Sequence, residues 1–528
     1  EWLPHADYRV AEVRLLRELG RVGTTDVAAD NLLIVGDSLN ALVSLTRLPE
    51  LSGDYVGKVK LVYIDPPFNT KQSFLQYNDA LEHSVWLTMM RDRLRHAKAL
   101  LHESGSIWVH CDDSEQGRLR ILMDEVFGAS NFQATVIWQK LYARKSKTNF
   151  SFSHDYIVVY AKDAGKFKRN KLPQTSEVLG RYRNPDADPR GPWQSVSFHV
   201  RTDHPGRREE YRYPVTLPSG RVIRPPPGRH WNGKIDRFEA LVADNQLYFG
   251  EDGDSVPRFK MFPKPEELAG LVPTTWWSRD EVGDNNESKG EIQALFPEVN
   301  DPFQTPKPER LMQRVVHIAT SPGDIVLDYF AGSGTTAAVA HKMGRRWIAC
   351  ERSSATVEEY LRPRLARVVA GDDPGGITEA MGWEGGGGFR VVEVGPSMFA
   401  AEEGVVVLAS WADNGALARA TAAQLGYDFD ATPPFCGRRG RSRLAVVDGL
   451  VNVDVVRILA TALPDDERLV ICAAAVDPLA HDEATRLRPG TRVRKIPDSL
   501  LYEYRRRASA AEPHPAATAA MPAANVGA

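Results

Sequence analysis

A carboxylate followed by two prolines and an aromatic residue, Asp65-Pro66-Pro67-Phe68, comes directly after the apolar run 61–64. Such a run is typical of a buried strand, and open α/β sheets bind their ligands at the carboxyl ends of parallel strands. The Asp65 carboxylate and the Pro66 carbonyl can each accept one N–H of an amino group, and the prolines hold that carbonyl in place. The motif therefore suits a reaction at a poor amine nucleophile, such as the exocyclic amino group of adenine or cytosine.

Phe68 extends this interpretation to a base that has left its duplex. An exocyclic amino group cannot be reached inside the base stack, so an enzyme must extrude the nucleotide, and an aromatic ring can then stack on the base. The alternative for an isolated Asp-Pro-Pro sequence is a simple turn at the end of a strand. A second motif that supplies a cofactor site would favour the catalytic interpretation over the simple turn.

The second motif is a glycine-rich turn that follows the apolar run 325–327 and leads into a helical pattern. It reads Asp328-Tyr329-Phe330-Ala331-Gly332-Ser333-Gly334-Thr335-Thr336. Its glycines let the backbone approach a ligand closely, although the third glycine of the dinucleotide fingerprint is missing. After the next apolar run, Glu351 is placed to accept hydrogen bonds from ribose hydroxyls. Together the two motifs favour a catalytic site over a simple turn.

The elements that must position these motifs follow an α/β rhythm, in which short apolar runs alternate with helical patterns. In the first half, strands are predicted at Leu32–Val35, Val59–Ile64, Ser106–His110 and Tyr156–Tyr160, with a helix whose apolar face carries Trp86, Leu87, Met90, Leu94, Ala97 and Leu101. After residue 302 the predicted elements are helix Leu311–Ile318, strand Ile325–Asp328, helix Thr335–Met343, strand Trp347–Cys350 and helix Val357–Val369. We expect the two halves to form one sheet.

Six segments are predicted along the 528 residues. They are a helical N-terminal extension (1–30), the catalytic half of the sheet domain (31–163), an inserted recognition region (164–302), the cofactor half of the sheet domain (303–390), a small α/β domain (403–507) and a disordered tail (508–528). The insertion is irregular and rich in Pro, Gly, Arg, Trp and Tyr, which suits loops and short strands. The tail is mostly Ala, Pro and Thr and lacks the apolar content to pack.

Charge is distributed unevenly along the chain. The formal net charge is -3, but residues 139–235 contain 20 Lys and Arg against 8 Asp and Glu. A local basic excess is typical of a nucleic-acid-binding face, because neutralising phosphates needs only a patch, while a solvated surface without a partner is the alternative.

Other site classes find less support in the sequence. Cys111, Cys350, Cys436 and Cys472 show no paired spacing typical of zinc sites or disulfides. His110, Asp112 and Asp113 favour a loop at a strand end over a metal site, and we expect no metal. No apolar run approaches the length of a membrane span, and the first residues do not resemble a signal peptide, so we expect a cytoplasmic protein without membrane contacts.

Together the motifs resemble those of the DNA amino-methyltransferases, which combine a catalytic Asp-Pro-Pro-aromatic sequence with a Phe-x-Gly-x-Gly cofactor loop. The catalytic motif precedes the cofactor motif, with a long insertion between them, and this order is similar to the β class. Between about Asn31 and Phe389 the chain is most similar to the modification subunits of type III restriction-modification systems. This further likeness includes Gly36-Asp37, the segment 86–94 and the sequence Thr305-Pro306-Lys307-Pro308.

The resemblance implies a Rossmann-like class I methyltransferase sheet with circularly permuted motif order and S-adenosyl-methionine as cofactor. It implies catalytic roles for Asp65, Pro66, Pro67 and Phe68. Phe68 replaces the tyrosine that the family often has, so we expect only stacking from it. The cofactor-binding residues implied are Asp37 at the adenine, Glu351 at the ribose, Asp328, Phe330, Ala331, Gly332, Ser333, Gly334, Thr335 and Thr336 around the methionine part, and Thr305 and Lys307 at the border of the pocket.

The predicted function is methyl transfer to adenine N6 at a specific site in duplex DNA, within a restriction-modification or related system. Cytosine N4 remains open, because both amines demand the same geometry. A recognition subunit that positions a nuclease partner, and an RNA or small-molecule methyltransferase, also remain open. By resemblance we expect a homodimer, and a helicase-nuclease restriction subunit as a further partner.

Overall fold

The computed structural model describes residues 7–24, 31–69, 82–142, 149–174, 180–201, 210–264, 270–299, 303 and 305–511. The chain divides into two compact units. One contains Glu1–Arg169 together with Thr274–Ala528, and the other contains Asn170–Pro273.

The strands of both units are numbered in chain order. They are β1 (Leu16–Gly23), β2 (Asn31–Val35), β3 (Val59–Ile64), β4 (Leu101–Cys111), β5 (Phe132–Gln139), β6 (His154–Ala161), β7 (Tyr182–Arg183), β8 (Trp193–Ser197), β9 (His199–Arg201), β10 (Val215–Thr216), β11 (Val222–Ile223), β12 (Arg229–Trp231), β13 (Leu247–Tyr248), β14 (Arg258–Met261), β15 (Trp276–Trp277), β16 (Ile325–Asp328), β17 (Arg346–Glu351), β18 (Gly388–Val394), β19 (Phe399–Glu402), β20 (Val405–Leu408), β21 (Asp428–Phe429), β22 (Gly437–Arg439), β23 (Ser442–Val451), β24 (Arg468–Val476) and β25 (Arg492–Lys495).

The helices are numbered in the same way. They are α1 (Tyr8–Ala11), α2 (Ser38–Arg47), α3 (Pro49–Tyr55), α4 (His83–Leu100), α5 (Gln116–Phe127), α6 (Ile235–Ala243), α7 (Arg279–Val282), α8 (Asn285–Leu295), α9 (Glu309–Ala319), α10 (Thr335–Lys342), α11 (Ser354–Thr356), α12 (Arg362–Ala370), α13 (Thr378–Met381), α14 (Asn414–Leu425), α15 (Val453–Ala462), α16 (Pro478–Leu487) and α17 (Asp498–Ala511). A 3-10 turn covers Ala129–Asn131, and a π-helical turn, Val357–Leu361, joins α11 to α12.

The central sheet of the larger unit contains both halves of the predicted sheet domain. Within the described residues it has ten strands, in the order β1-β18-β2-β17-β16-β3-β4-β6-β5-β15. Strands β2, β17, β16, β3 and β4 are parallel neighbours, and β6 is antiparallel to both β4 and β5. The predicted α/β class is confirmed. Because β16 pairs directly with β3, the second half of the chain returns to the middle of the sheet built by the first half.

The strands beside the site are those that the sequence predicts most closely. The bounds of β3 and β16 are the predicted ones, and both strands are almost wholly buried. A strand covered on both faces has a nearly continuous apolar sequence, which makes its limits easy to recognise. Helix α4 has the predicted apolar face at Trp86, Met90 and Leu94, which are fully buried. Leu101, which was predicted on this face, instead begins β4, because the strand starts directly after the helix and five residues before its predicted start.

The sequence predicts a helical N-terminal extension, but the structure shows that this segment is mostly not helical. The only helix described there is the four-residue α1, and β1 follows it and pairs antiparallel with β18 at the edge of the sheet. Strand β18 begins at Gly388 and runs past the predicted end of the cofactor half at residue 390. Burial along β1 is irregular, as is common for an edge strand, so its sequence lacks the strong apolar run that identifies a central strand.

The inserted unit is shorter than predicted, because residues 274–302 fall in the larger unit, where β15 pairs with β5. The described part of the insertion contains a four-stranded sheet, β13-β14-β8-β7, and two small two-stranded sheets. Its apolar core includes Phe198, Trp231 and Phe238. The fully buried Lys260 ammonium contacts Asp188 at 2.9 Å, which satisfies a charge that would otherwise be costly to bury.

The C-terminal region forms its own sheet, β21-β22-β23-β24-β25, but it falls in the same compact unit as the central sheet. The side-chain amide of Gln424 bonds both backbone groups of Val13, with the Val13 N–H donating at 2.9 Å and the Val13 carbonyl accepting at 2.6 Å. Helix α17 continues to Ala511, so the start of the predicted disordered tail is helical, and residues 512–528 lie outside the described ranges. No helix within those ranges is long and apolar enough to cross a membrane.

A buried group of charges joins the three helices behind the glycine-rich turn. The Lys342 ammonium lies 2.8 Å from Glu309 and 2.6 Å from Asp373, and the Arg364 guanidinium lies 2.9 Å from Glu309. Arg364 also donates to the hydroxyl of Thr335 at 2.9 Å. Since Glu309 begins α9, Lys342 ends α10 and Arg364 belongs to α12, these contacts fix the helices that support the turn.

We expect Lys342→Met to lower the free energy of unfolding by about 3–5 kcal/mol, because Glu309 and Asp373 would remain buried without their shared cation. Denaturant unfolding measures the difference. As a control, Lys166→Met removes an exposed ion-pair partner of Glu103 and should leave the free energy nearly unchanged. Equal effects of the two substitutions would contradict a structural role for the buried group.

Candidate active site

Four acidic residues lie at the carboxyl ends of four adjacent parallel strands. Asp37 follows β2, Glu351 ends β17, Asp328 ends β16 and Asp65 follows β3. All four line one cavity of about 1080 Å³. The cavity therefore lies where open α/β sheets bind ligands, and the pairing of the two halves of the chain brings both sequence motifs to it.

The two carboxylate oxygens of Asp65 have different surroundings. Oδ2 contacts the ammonium of Lys307, which also lies 5.5 Å from the centre of the Phe68 ring. Oδ1 is buried and has no hydrogen-bond partner among the described residues. A buried acceptor without a donor is costly unless a ligand supplies one. The geometry thus leaves one oxygen of Asp65 available for an N–H donor in the cavity.

The residues after Asp65 are held by contacts with two neighbouring elements. The Trp86 indole N–H, from α4, donates to the carbonyl oxygen of Pro67 at 2.6 Å. The Phe68 ring stacks on His110 at the end of β4, with ring centres 5.7 Å apart and planes 16° from parallel. The motif therefore has a fixed backbone, and one face of Phe68 is already covered by the protein.

His110 belongs to a chain of buried hydrogen bonds. Its Nδ1 lies 2.9 Å from the Tyr63 hydroxyl, its Nε2 lies 3.3 Å from Asp155 Oδ2, and the Lys140 ammonium contacts Asp155 Oδ1 at 2.6 Å. Burial and the nearby charge of Lys307 lower the pKa of His110. The neutral ring then donates from Nε2 to Asp155 and accepts the Tyr63 hydroxyl proton at Nδ1, and this fixes the ring on which Phe68 stacks.

Two carboxylates hold the glycine-rich turn. Asp328 accepts the Phe330 N–H at 3.0 Å, and Glu351 accepts the Gly332 N–H at 3.0 Å and the Ser353 N–H at 2.9 Å. Burial raises the pKa of Glu351, and it raises the pKa of Asp328 to about 7. The turn is therefore shaped by acids that are themselves poorly solvated.

Gly334 is the one predicted cofactor residue that does not line the cavity. Its φ is +84°, and a Cβ there would lie 2.4 Å from the Leu361 Cδ1 atom. The position needs glycine for backbone conformation and close helix packing rather than for contact with a ligand. The other predicted catalytic and cofactor residues all line the cavity, and their roles remain predictions.

The Asp37 carboxylate has protein hydrogen-bond partners that the sequence does not predict. It accepts the Leu39 N–H at 2.8 Å at the start of α2, and the Arg93 guanidinium contacts both of its oxygens at 3.0 Å. Although burial opposes the shift, Arg93 lowers the pKa of Asp37. The fixed carboxylate can still accept hydrogen bonds from a ligand in the cavity.

Sequence reasoning missed Arg93, His110 as the support of Phe68, and the contact between Lys307 and Asp65. Arg93 lies between Met90 and Leu94 on the predicted helix, where an arginine at the edge of an apolar face is a recognisable signal for a carboxylate partner. For His110 the sequence offers no comparable signal, because its contact with Phe68 joins two separate strand ends. The ranges that the structure describes contain no group of three or more His, Cys, Asp or Glu suited to a metal.

A family model described as DNA methylase (N6_N4_Mtase) matches residues 59–362, more than half of the chain. The chain belongs to the DNA methylase family. The matched region encloses both the Asp65–Phe68 motif and the glycine-rich turn, together with the insertion between them.

Three curated relatives show where the similarity lies. The type III restriction-modification enzyme StyLTI Mod subunit of Salmonella typhimurium is 32% identical over 64% of this chain and 57% of its own length. The probable type III restriction-modification enzyme HindVI Mod subunit of Haemophilus influenzae is 32% identical over 70% of this chain and 54% of its own length. The type II methyltransferase M.EcaI of Enterobacter cloacae is 29% identical over 67% of this chain and 74% of its own length.

The likeness to type III modification subunits predicted from the sequence is confirmed by the first two of these relatives. The chain spans about half the length of these two DNA methylase relatives. It nevertheless contains both motifs on which the cavity is built.

We expect Asp328→Asn to become progressively more favourable for stability as pH rises. In the folded protein the pKa of Asp328 is raised to about 7 by burial, so its contribution to stability is complete at low pH and is lost as the pH rises through 7. Between about pH 5.5 and 8.5 the stability of the variant relative to the parent should rise by about 2 kcal/mol.

Urea unfolding of both proteins at the two pH values measures this change. Asp454→Asn, at an exposed aspartate, is the control and should show no comparable pH dependence. A constant difference between Asp328→Asn and the parent would contradict a buried, protonated Asp328.

Proposed function

We propose that this chain transfers a methyl group from S-adenosyl-methionine to the exocyclic amino group of a base at a specific site in duplex DNA, with adenine N6 as the target. The observation that carries the proposal is the buried, unpartnered Oδ1 of Asp65, which lies in the same cavity as the Phe68 ring and the glycine-rich turn. The family membership of the chain and its likeness to modification subunits support the same reaction class.

Asp65 and Pro66 act on the amino group of an extruded base. Oδ1 of Asp65 accepts one N–H and the Pro66 carbonyl accepts the other, which draws the nitrogen towards tetrahedral geometry and directs its lone pair at the methyl group. Phe68, held from behind by His110, supports the ring of the base by stacking. Orientation of the two reactants then provides much of the rate enhancement.

The cofactor, when bound, supplies the electrophilic methyl group. The residues of the cavity fit a molecule that carries adenine, ribose and an amino acid. Asp37 and Glu351 offer carboxylate oxygens for polar hydrogens, and Gly332 allows the backbone of the turn to approach closely with its φ of +51°. Thr305 and Lys307 border the same space.

Adenine is favoured over cytosine by the resemblance to type III modification subunits, while the geometry of the site suits either amine. The inserted unit, with its basic flanking sequence, is proposed to read the DNA. A restriction subunit is proposed as a partner, since the two relatives are named as subunits of restriction-modification enzymes. A second copy of this chain is proposed from the resemblance to the β class alone.

Expression of this chain alone in a bacterium without DNA methylation, followed by single-molecule sequencing that detects methylated bases, tests the proposal. Adenine N6 marks at one short motif are expected. Cytosine N4 marks would show that the target base is cytosine rather than adenine, while the proposed methyl transfer to an exocyclic amino group would stand. An unmarked genome would contradict autonomous methylation and favour a recognition subunit that requires a partner.

Asp65→Ala should reduce methyl transfer by about a hundredfold or more, because the amino group loses the acceptor that activates it. Affinity for S-adenosyl-methionine, measured by calorimetry, should change little, since the glycine-rich turn and Glu351 remain. Asp454→Ala, far from the cavity in sequence and exposed, serves as the control for both measurements. Full activity of the Asp65 variant would refute the mechanism.

Lys307→Met distinguishes two roles for this lysine. If Lys307 acts by holding Asp65 Oδ2, so that Oδ1 faces the amino group, kcat should fall about tenfold or more while the cofactor Kd stays nearly constant. Lys307→Arg should recover part of the rate because it retains a cation. A weaker cofactor Kd with unchanged kcat would instead indicate that Lys307 is only a wall of the cofactor pocket.

A further inference from the structure

Three aromatic residues near the ends of the connection between β5 and β6 are unusually exposed. The exposed fraction is 80% for Phe150, 74% for Tyr142 and 64% for Phe152. Phe150 and Tyr142 are the two most exposed large hydrophobic side chains among the residues that the structure describes. A single exposed aromatic residue is ordinary, but three on one short connection indicate a surface that binds a partner.

The charge of this connection indicates which kind of partner it binds. Between Gln139 and His154 the sequence contains Lys140, Arg144, Lys145 and Lys147 and no acidic residue. Basic residues interleaved with aromatic ones are typical of surfaces that bind nucleic acid, where cations contact phosphates and rings stack on bases. A protein partner would require no such one-sided charge.

The base of the connection is fixed at the active-site cavity. Lys140 and Leu141 line the cavity, and their backbone N–H groups donate to the Ser153 carbonyl at 2.9 and 3.2 Å. The Lys140 side chain contacts Asp155, which in turn contacts His110 under the Phe68 ring. Tyr142 and Phe152 therefore start from positions beside the rim of the site.

We propose that Phe150 and Phe152 form a wedge that enters the base stack of the bound DNA and occupies the space left by the extruded target nucleotide. This inference rests on the proposed function and adds a residue-level account of how the target base is kept out of the duplex. Extrusion breaks the stacking on both sides of the target nucleotide. Aromatic rings inserted at that step replace the lost stacking, and the positive charge of the connection's sequence favours its approach to the phosphate backbone.

The test compares two duplexes that carry the motif found by genome sequencing. In the first the target base is normally paired, and in the second it stands opposite an abasic position, which makes extrusion easier. The rate of methyl transfer from radiolabelled S-adenosyl-methionine is measured with the parent chain, with Phe150→Ala/Phe152→Ala, and with Phe150→Trp/Phe152→Trp. Tyr502→Ala removes an aromatic residue of similar exposure, 65%, from α17 and is the matched control.

The double alanine variant should lose about tenfold or more of the rate on the paired duplex. It should lose much less on the abasic duplex, because little stacking is left to replace. The tryptophan variant should keep most of the rate on both duplexes, and Tyr502→Ala should match the parent.

An unchanged rate on the paired duplex, or an equal loss on both duplexes, would overturn the wedge while leaving the proposed methyl transfer intact. Equal loss would instead point to general DNA or protein binding by this surface. A parent chain that methylates neither duplex would overturn the proposed function itself, and the wedge with it.

Discussion

The pairing of β16 with β3 is the constraint on which the site depends. These strands come from opposite sides of the inserted unit, yet Val326 lies beside Leu61 and Leu327 beside Val62 in one parallel ladder. The ladder places Asp328 and Asp65 at neighbouring strand ends. Only a sheet that is covered on both faces holds such an edge rigidly enough to position reacting groups, and the buried sequences of both strands meet that requirement.

The same pairing creates an electrostatic problem, because four acids then share one cavity. The repulsion between these carboxylates is reduced in different ways at different positions. Arg93 neutralises Asp37, and Lys307 contacts Asp65, so these two carboxylates have cations beside them. Asp328 has no such partner among the described contacts, and its pKa is raised to about 7 by burial. Burial also raises the pKa of Glu351, so the cavity combines paired acids at its two ends with two weakly acidic groups between them.

The sequence predicts the centre of the fold better than its edges. Central strands such as β3 are identified by apolar runs, and the two motifs by residue types that ordinary turns do not need. An edge strand such as β1 has a mixed sequence, because one of its sides faces solvent or a loop, so the helical assignment of the N-terminus was wrong. Contacts such as that of Lys307 with Asp65 join distant parts of the chain, and only the folded sheet shows them.

The groups proposed for methyl transfer lie on the central sheet, whereas those proposed for base extrusion lie on the connection between β5 and β6. This division follows from what the two steps require. Methyl transfer demands fixed geometry, and the groups proposed for it, Asp65 and the glycine-rich turn, lie at the ends of buried strands. Extrusion of a base demands groups that reach outward, and the exposed Phe150 and Phe152 lie on a connection whose base is fastened by Lys140. Because Lys140 contacts Asp155 and Asp155 contacts His110, the outward-reaching connection and the ring beneath Phe68 share one hydrogen-bonded chain. The base of the connection and the ring beneath Phe68 are therefore held by contiguous contacts.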